Sequence, residues 1–116
     1  MTTINKSGQL QGEILVVDDT PANLKLLVDL LLANNYKVRP ASDGQQALNA
    51  VKKRKPDLIL LDIMMPNVDG YEVCRRLKEN EDTRDIPIIF ISALDALEDR
   101  IKGFDLGGVD YITKPI

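Results

Sequence analysis

"DLILLDIMMP", Asp57 to Pro66, is the stretch on which the rest of the chain turns. Apart from Asp62, every residue from Leu58 to Met65 is apolar. A short apolar run between turn residues is the signature of a strand buried on both faces, as in a parallel sheet. An ionised carboxylate is costly in such a place unless it stands at a solvent-reaching strand end or has cations to pair with. Asp62 is therefore expected at a strand end, in company.

Outward from this strand, short runs rich in β-branched residues alternate with segments of helical period, the pattern of βαβ units around a parallel sheet. The predicted strands are Ile14–Val17, Lys37–Ala41, Leu58–Leu61, Ile88–Ile91 and Tyr111–Thr113. Helix one has Thr20 as its expected N-cap and Pro21 in its first turn, with Leu24, Leu27, Val28, Leu31 and Leu32 as its inner face. Helix two spans about Gly44 to Lys53, with Ala47, Leu48 and Val51 inward. Helix three follows Asp69, has Glu72 placed for a capping box, and buries Val73 and Leu77. A fourth helix repeats that signature with Asp95 and Glu98, then Leu97, Ile101 and Phe104. Residues 1–12 are polar and without periodicity, so a flexible tail or linker is expected there and a single domain over residues 13–116. The sequence reaches Ile116 directly after the fifth strand, so the helix that would normally cover that part of the sheet is expected to be absent from these residues.

Bulk properties narrow the function. A length of 116 residues suits one core, and a net charge of −3 without a basic or aromatic-basic cluster gives no footprint for nucleic acid. The one basic run, Lys52-Lys53-Arg54-Lys55, falls at a helix end, where cations complement the dipole. A single cysteine, Cys74, excludes an intramolecular disulfide, and the polar N-terminus contains no signal-peptide core, so a cytoplasmic location is expected. No apolar run approaches the ~20 residues of a membrane span. The absence of histidine excludes Ser-His and Cys-His nucleophile pairs, a histidine-containing zinc site and a phosphohistidine on this chain.

Ligands of open parallel sheets bind outside the carboxyl ends of the strands, where strand order reverses. Strand one ends in "VVDD", with Asp18 and Asp19, and strand three ends in "LLD", with Asp62. If these strands are neighbours, three carboxylates converge, and a divalent cation with hard oxygen ligands, such as magnesium, relieves their repulsion. Strand four ends at Ser92, a hydroxyl donor, and Lys114 follows strand five as an ammonium donor. A carboxylate is ordinarily ionised at neutral pH and can attack a phosphoryl group without a general base. Each residue alone has a plainer role: Asp18 or Asp19 beside a helix N-terminus, Ser92 in a loop or cap, Lys114 in solvent. Their joint occurrence at four strand ends favours the metal and phosphate site.

The segments "ILVVDDTPANLKLL", "PDLILLDIMMPNVDGYEVCRRLK", "IPIIFISAL" and "GGVDYITKP" resemble, in content and spacing, the receiver domain of two-component response regulators and hybrid sensor kinases. The resemblance covers Glu13 to Ile116. It implies a flavodoxin-like, doubly wound, five-stranded parallel sheet of order 2-1-3-4-5 with helices on both faces. It also implies that Asp62 accepts a phosphoryl group from a histidine kinase or phosphotransfer protein. Asp19, Asp62 and the main-chain carbonyl of Met64 would then be direct magnesium ligands, with Asp18 acting largely through bound water. Lys114 would contact the phosphoryl group, and the Lys114-Pro115 bond would be cis. Ser92 and Tyr111 match the family's switch pair, through which phosphorylation would control an output domain or partner protein. Met64 and Leu94 occupy positions that tune the lifetime of the phosphorylated state. Being apolar, they imply slow loss of the phosphoryl group.

Two other classes fit parts of this pattern. A magnesium-dependent aspartyl phosphatase of the haloacid-dehalogenase type would need an acid two residues after Asp62, where Met64 stands. A degenerate receiver that only binds partners would be expected to lose an acidic or lysine position, and none is lost. The uncovered last strand and helix one would also expose apolar surface, which favours a homodimer.

Overall fold

The computed structural model describes residues 3–4, 10–92 and 110–113. Its elements are β1 (Glu13–Val17), α1 (Pro21–Ala33), β2 (Lys37–Ala41), α2 (Gly44–Lys53), β3 (Leu58–Asp62), α3 (Gly70–Glu79), β4 (Ile88–Ser92) and β5 (Asp110–Thr113). The five strands form one parallel sheet of order β2-β1-β3-β4-β5, as the resemblance implies. Within the expected N-terminal tail, Thr3–Ile4 pairs antiparallel with Leu10–Gln11, a ladder that the polar sequence did not announce. The predicted fourth helix, with Asp95 and Glu98, lies outside the described residues.

Alternation along the strands divides the core in two. Leu15, Val17, Ile59, Leu61, Ile88 and Phe90 face α2 and α3, where Ala47, Val51, Val73, Cys74 and Leu77 close over them. Ile14, Val16, Leu60 and Ile91 face the other way and pack with Leu27 of α1, flanked by Leu24 and Leu31. Strands with both faces covered have no polar side to alternate, which is why they stand out as continuous apolar runs.

Of the sequence expectations about α1, the N-cap holds in position and the inner face needs correction. Thr20 is the N-cap residue, but its side chain makes no capping hydrogen bond; the turn is held from before, by the Asp18 carboxylate accepting the Thr20 N–H at 2.9 Å. Leu32 is 53% exposed, as are Leu26 and Leu30 in similar degree. The helix carries leucine almost all round, so the pattern of apolar residues could not define its buried face, which centres on Leu24, Leu27 and Leu31. For α3, Asp69 caps as expected, accepting the Glu72 N–H at 2.9 Å. The box is not reciprocal, however, because the Glu72 carboxylate binds Arg75 and Arg76 instead.

The opposite end of the sheet is fixed by polar contacts. Glu13 and Asp57 clamp β1 to β3: the Glu13 N–H donates to the Asp57 carboxylate at 2.9 Å and the Asp57 N–H donates to the Glu13 carbonyl at 2.8 Å. The Glu13 carboxylate meets Arg39 at 2.8 Å and Arg54 at 2.5 Å. Arg39, on the edge strand β2, also donates to the carbonyls of Ala50 and Arg54, closing the C-terminus of α2. Arg54, largely exposed at the helix end, also links the end of α2 to the sheet.

Candidate functional site

Strand order sets the position of the site before any side chain is considered. From β1 the chain passes through α1 to β2 on one side, and from β2 it crosses back through α2 to β3 on the other. The loops leaving β1 and β3 therefore diverge, and a crevice opens between them. The register Val17↔Leu61 sets Asp18 beside Asp62 at its mouth.

Asp18, Asp19 and Asp62 each present a carboxylate oxygen within 4.8 Å of the others. Asp18 is fully buried, Asp62 is 2% exposed, and Asp19 opens to solvent. Backbone donors orient the two buried groups: Asp18 through the Thr20 N–H, and Asp62 through the Met64 N–H at 3.3 Å. The Asp18 N–H in turn donates to the Ala41 carbonyl of β2 at 3.2 Å. Three carboxylates this close repel one another in a poorly hydrated crevice. An octahedral ion with oxygen ligands at ~2.1 Å places those oxygens ~3 to ~4 Å apart, so the donor set fits a small hard dication with little movement.

The backbone between Asp62 and α3 is tightly folded. The Gly70 N–H donates to the Ile63 carbonyl at 3.0 Å. A Cβ on Gly70 would overlap the Asp62 carbonyl oxygen and stand 2.8 Å from the Ile63 Cα. Asn67 takes a left-handed conformation, φ 65°, within the turn. The loop leaves Met65 buried and Met64 72% exposed, so the Met64 side chain points away from the core while its backbone stays at Asp62.

The strand ends place Asp18, Asp19 and Asp62 together in the sequence, and the structure brings these three together; of Met64, implied as a carbonyl ligand, it shows the N–H at Asp62. Ser92 ends β4, one residue beyond Ile91, the register partner of Asp62; Tyr111 lies in β5 opposite Phe90. The side chains of Ser92 and Tyr111, and Lys114, Leu94 and the Lys114-Pro115 bond, lie outside the described residues. Gly44 was passed over, although it touches the same loop. A glycine in the first turn of a helix, where most residues are preferred, was the available signal.

An open parallel α/β sheet carrying at its switch point a carboxylate cluster able to hold a metal ion defines the class of this module. Residues 14–116 match the family described as the response regulator receiver domain, and the chain belongs to that family, the phosphoacceptor signalling modules of two-component systems. Among its relatives, the response regulator PleD of Caulobacter vibrioides is 50% identical over 107 residues, which are 92% of this chain and 24% of PleD. The chain thus spans about a quarter of the length of that relative. The N-terminal domain of a response regulator receiver protein from Methanoculleus marisnigri is 38% identical with a TM-score of 0.83, over 90% of this chain and 85% of that one. The receiver domain of a Pseudomonas aeruginosa sensor histidine kinase, solved with magnesium coordinated in its active-site cleft, is 34% identical with a TM-score of 0.83, over 91% of this chain and 87% of that one. Among the described residues no helix is long and apolar enough to cross a membrane.

Proposed function

We propose that Asp62 is the phosphoacceptor of this receiver and that Asp18 and Asp19 complete its magnesium site. The observation that carries this reading is the convergence of the three carboxylates within 4.8 Å at the sheet's switch point. An Asp62 oxygen forms the new P–O bond while the P–N bond to the phosphohistidine of a histidine kinase or phosphotransfer protein breaks, and the imidazole leaves with the bonding pair. Asp19, Asp62 and the Met64 carbonyl would hold magnesium, with Asp18 acting through water, and the ion would supply positive charge against the carboxylates and the phosphoryl oxygens. The Met64 N–H keeps Asp62 oriented. Lys114 pairs with the phosphoryl group, and Ser92 and Tyr111 transmit its arrival to an output domain or partner protein by favouring one of two conformations. The chain takes part in its own phosphorylation and dephosphorylation and does not turn over a separate substrate. It reads no nucleic acid itself, and residues 13–116 act as the receiver unit, with residues 1–12 a tail or linker outside it.

Intact-mass measurement after incubation with acetyl phosphate tests this. One added phosphoryl group is expected with magnesium, none with EDTA, and none in Asp62→Asn. Phosphorylation of Asp62→Asn to the same extent, or none in the folded unmodified protein, would refute the assignment.

A further inference from the structure

Gly44 opens α2 against the β3–α3 loop, and the space a side chain would need there is occupied. A Cβ there would overlap the Val68 carbonyl oxygen and stand 2.9 Å from the Val68 Cβ and 3.0 Å from its Cγ1. Val68 belongs to the β3–α3 loop, which carries Met64 at its start and is closed at its end by Gly70 lying against the Asp62 carbonyl. Asn67, immediately before Val68, supplies the left-handed residue of that loop.

The surface that receives Val68 is itself fixed. Asp43 caps α2 by accepting the Gln46 N–H at 2.8 Å. The Gln46 side-chain oxygen accepts from both the N–H and the hydroxyl of Ser42 at 3.0 Å. One residue earlier, the Ala41 carbonyl accepts the Asp18 N–H. A closed path of short contacts therefore runs from Asp18 through Ala41 and the first turn of α2 to Val68, and along the loop back to Asp62. Glycine is not preferred over alanine in a helix, so local preference does not explain the glycine.

We infer that Gly44 is a positioning residue for the carboxylate site: by leaving room for the Val68 carbonyl, it sets where the Met64 backbone stands against Asp62. The inference rests on the proposed magnesium site. A side chain at Gly44 pushes the loop outward, carrying the Met64 N–H from Asp62 and loosening the arrangement that receives a cation, while the core behind it stays packed.

Binding of Mn2+ to the whole chain, followed by the loss of the free-ion electron paramagnetic resonance signal, separates this from a general loss of stability. Gly44→Ala is expected to weaken Mn2+ binding at least fivefold while its circular dichroism remains that of a folded protein. Val51→Ala, a truncation in the core face of the same helix, is expected to leave binding within twofold. Val68→Ala thins the contact from the loop side without a clash, and is expected to weaken binding at least twofold even if Gly44→Ala does not fold. Unchanged binding in folded Gly44→Ala, unchanged binding in Val68→Ala, or equal loss in Val51→Ala would overturn the positioning role alone. Absence of Mn2+ binding by the unmodified protein would overturn the magnesium site and this inference with it.

Discussion

Asp62→Asn should make the cation-free protein more stable. The carboxylate oxygens of Asp18, Asp19 and Asp62 lie within 4.8 Å of one another, and two of the three groups are buried. At an effective dielectric of about 20, a pair of unit charges ~5 Å apart repels by ~3 kcal/mol. Solvent at the exposed Asp19 and mobile ions reduce this, leaving a net ~1 to ~2 kcal/mol to be relieved by removing one charge. Asparagine keeps the oxygen that accepts the Met64 N–H and nearly the same volume, so little packing is lost. At about 4 °C per kcal/mol for a chain of this size, Tm in EDTA should rise by ~4 to ~8 °C. Magnesium at ten times its dissociation constant should stabilise the unmodified protein by ~1.4 kcal/mol, or ~6 °C, and Asp62→Asn by much less. Thermal unfolding followed by circular dichroism with and without magnesium measures all four values. A Tm for Asp62→Asn at or below that of the unmodified protein in EDTA, or equal magnesium shifts for both, would refute the electrostatic account.

Three further outcomes follow from particular side chains. The Glu72 carboxyl is held down at about 2 by hydrogen bonds from Arg75 and then Arg76. A depressed folded-state value stabilises the protein above the ordinary carboxylate range, and that contribution is lost as pH falls toward about 2. The difference in urea midpoint between the unmodified protein and Glu72→Gln should thus be present at pH 7 and shrink below pH ~4, and a difference that grew on acidification would contradict the pairing. Burial pushes the Cys74 thiol up to about 11, so Ellman's reagent at neutral pH should react no faster than the protein unfolds; reaction at the rate of a free thiol would show the packing to be wrong. Met64 presents an apolar, 72% exposed side chain that cannot direct a water at the aspartyl phosphate. Its half-life should be long, and shorter in Met64→Asn; a half-life of seconds in the unmodified protein, read by loss of the added mass, would count against this.

β1, β3 and β4 were legible because they are buried on both faces. Each observed strand contains its predicted one and extends it by at most one residue, and at β3 and β4 the added residues are Asp62 and Ser92. Propensity disfavours aspartate and serine in strands, so a sequence boundary falls before them, whereas the hydrogen-bonded ladder includes them. The face of α1 was not legible because Leu26, Leu30 and Leu32 mimic the inner row, and only packing on Ile14, Val16 and Leu60 separates the two sets. Arg39 and Arg54 gave no sequence signal for their link to Glu13, since it joins residues from three elements that the fold alone brings together.

The site divides in the same way. Asp62 can be recognised alone, because it contradicts its own apolar neighbourhood, whereas Asp18 and Asp19 gain their meaning once strand order determines that the three meet. The loop that orients Asp62 is different: much of its placement depends on missing atoms, at Gly44 against Val68 and at Gly70 against Asp62. A missing side chain has meaning only relative to what occupies its space, and for Gly44 that partner lies in another βαβ unit. Chemical identity at this site is therefore written locally in the chain, while its geometry is written in pairs of residues, which is why a change at Gly44 should alter cation binding without touching a ligand.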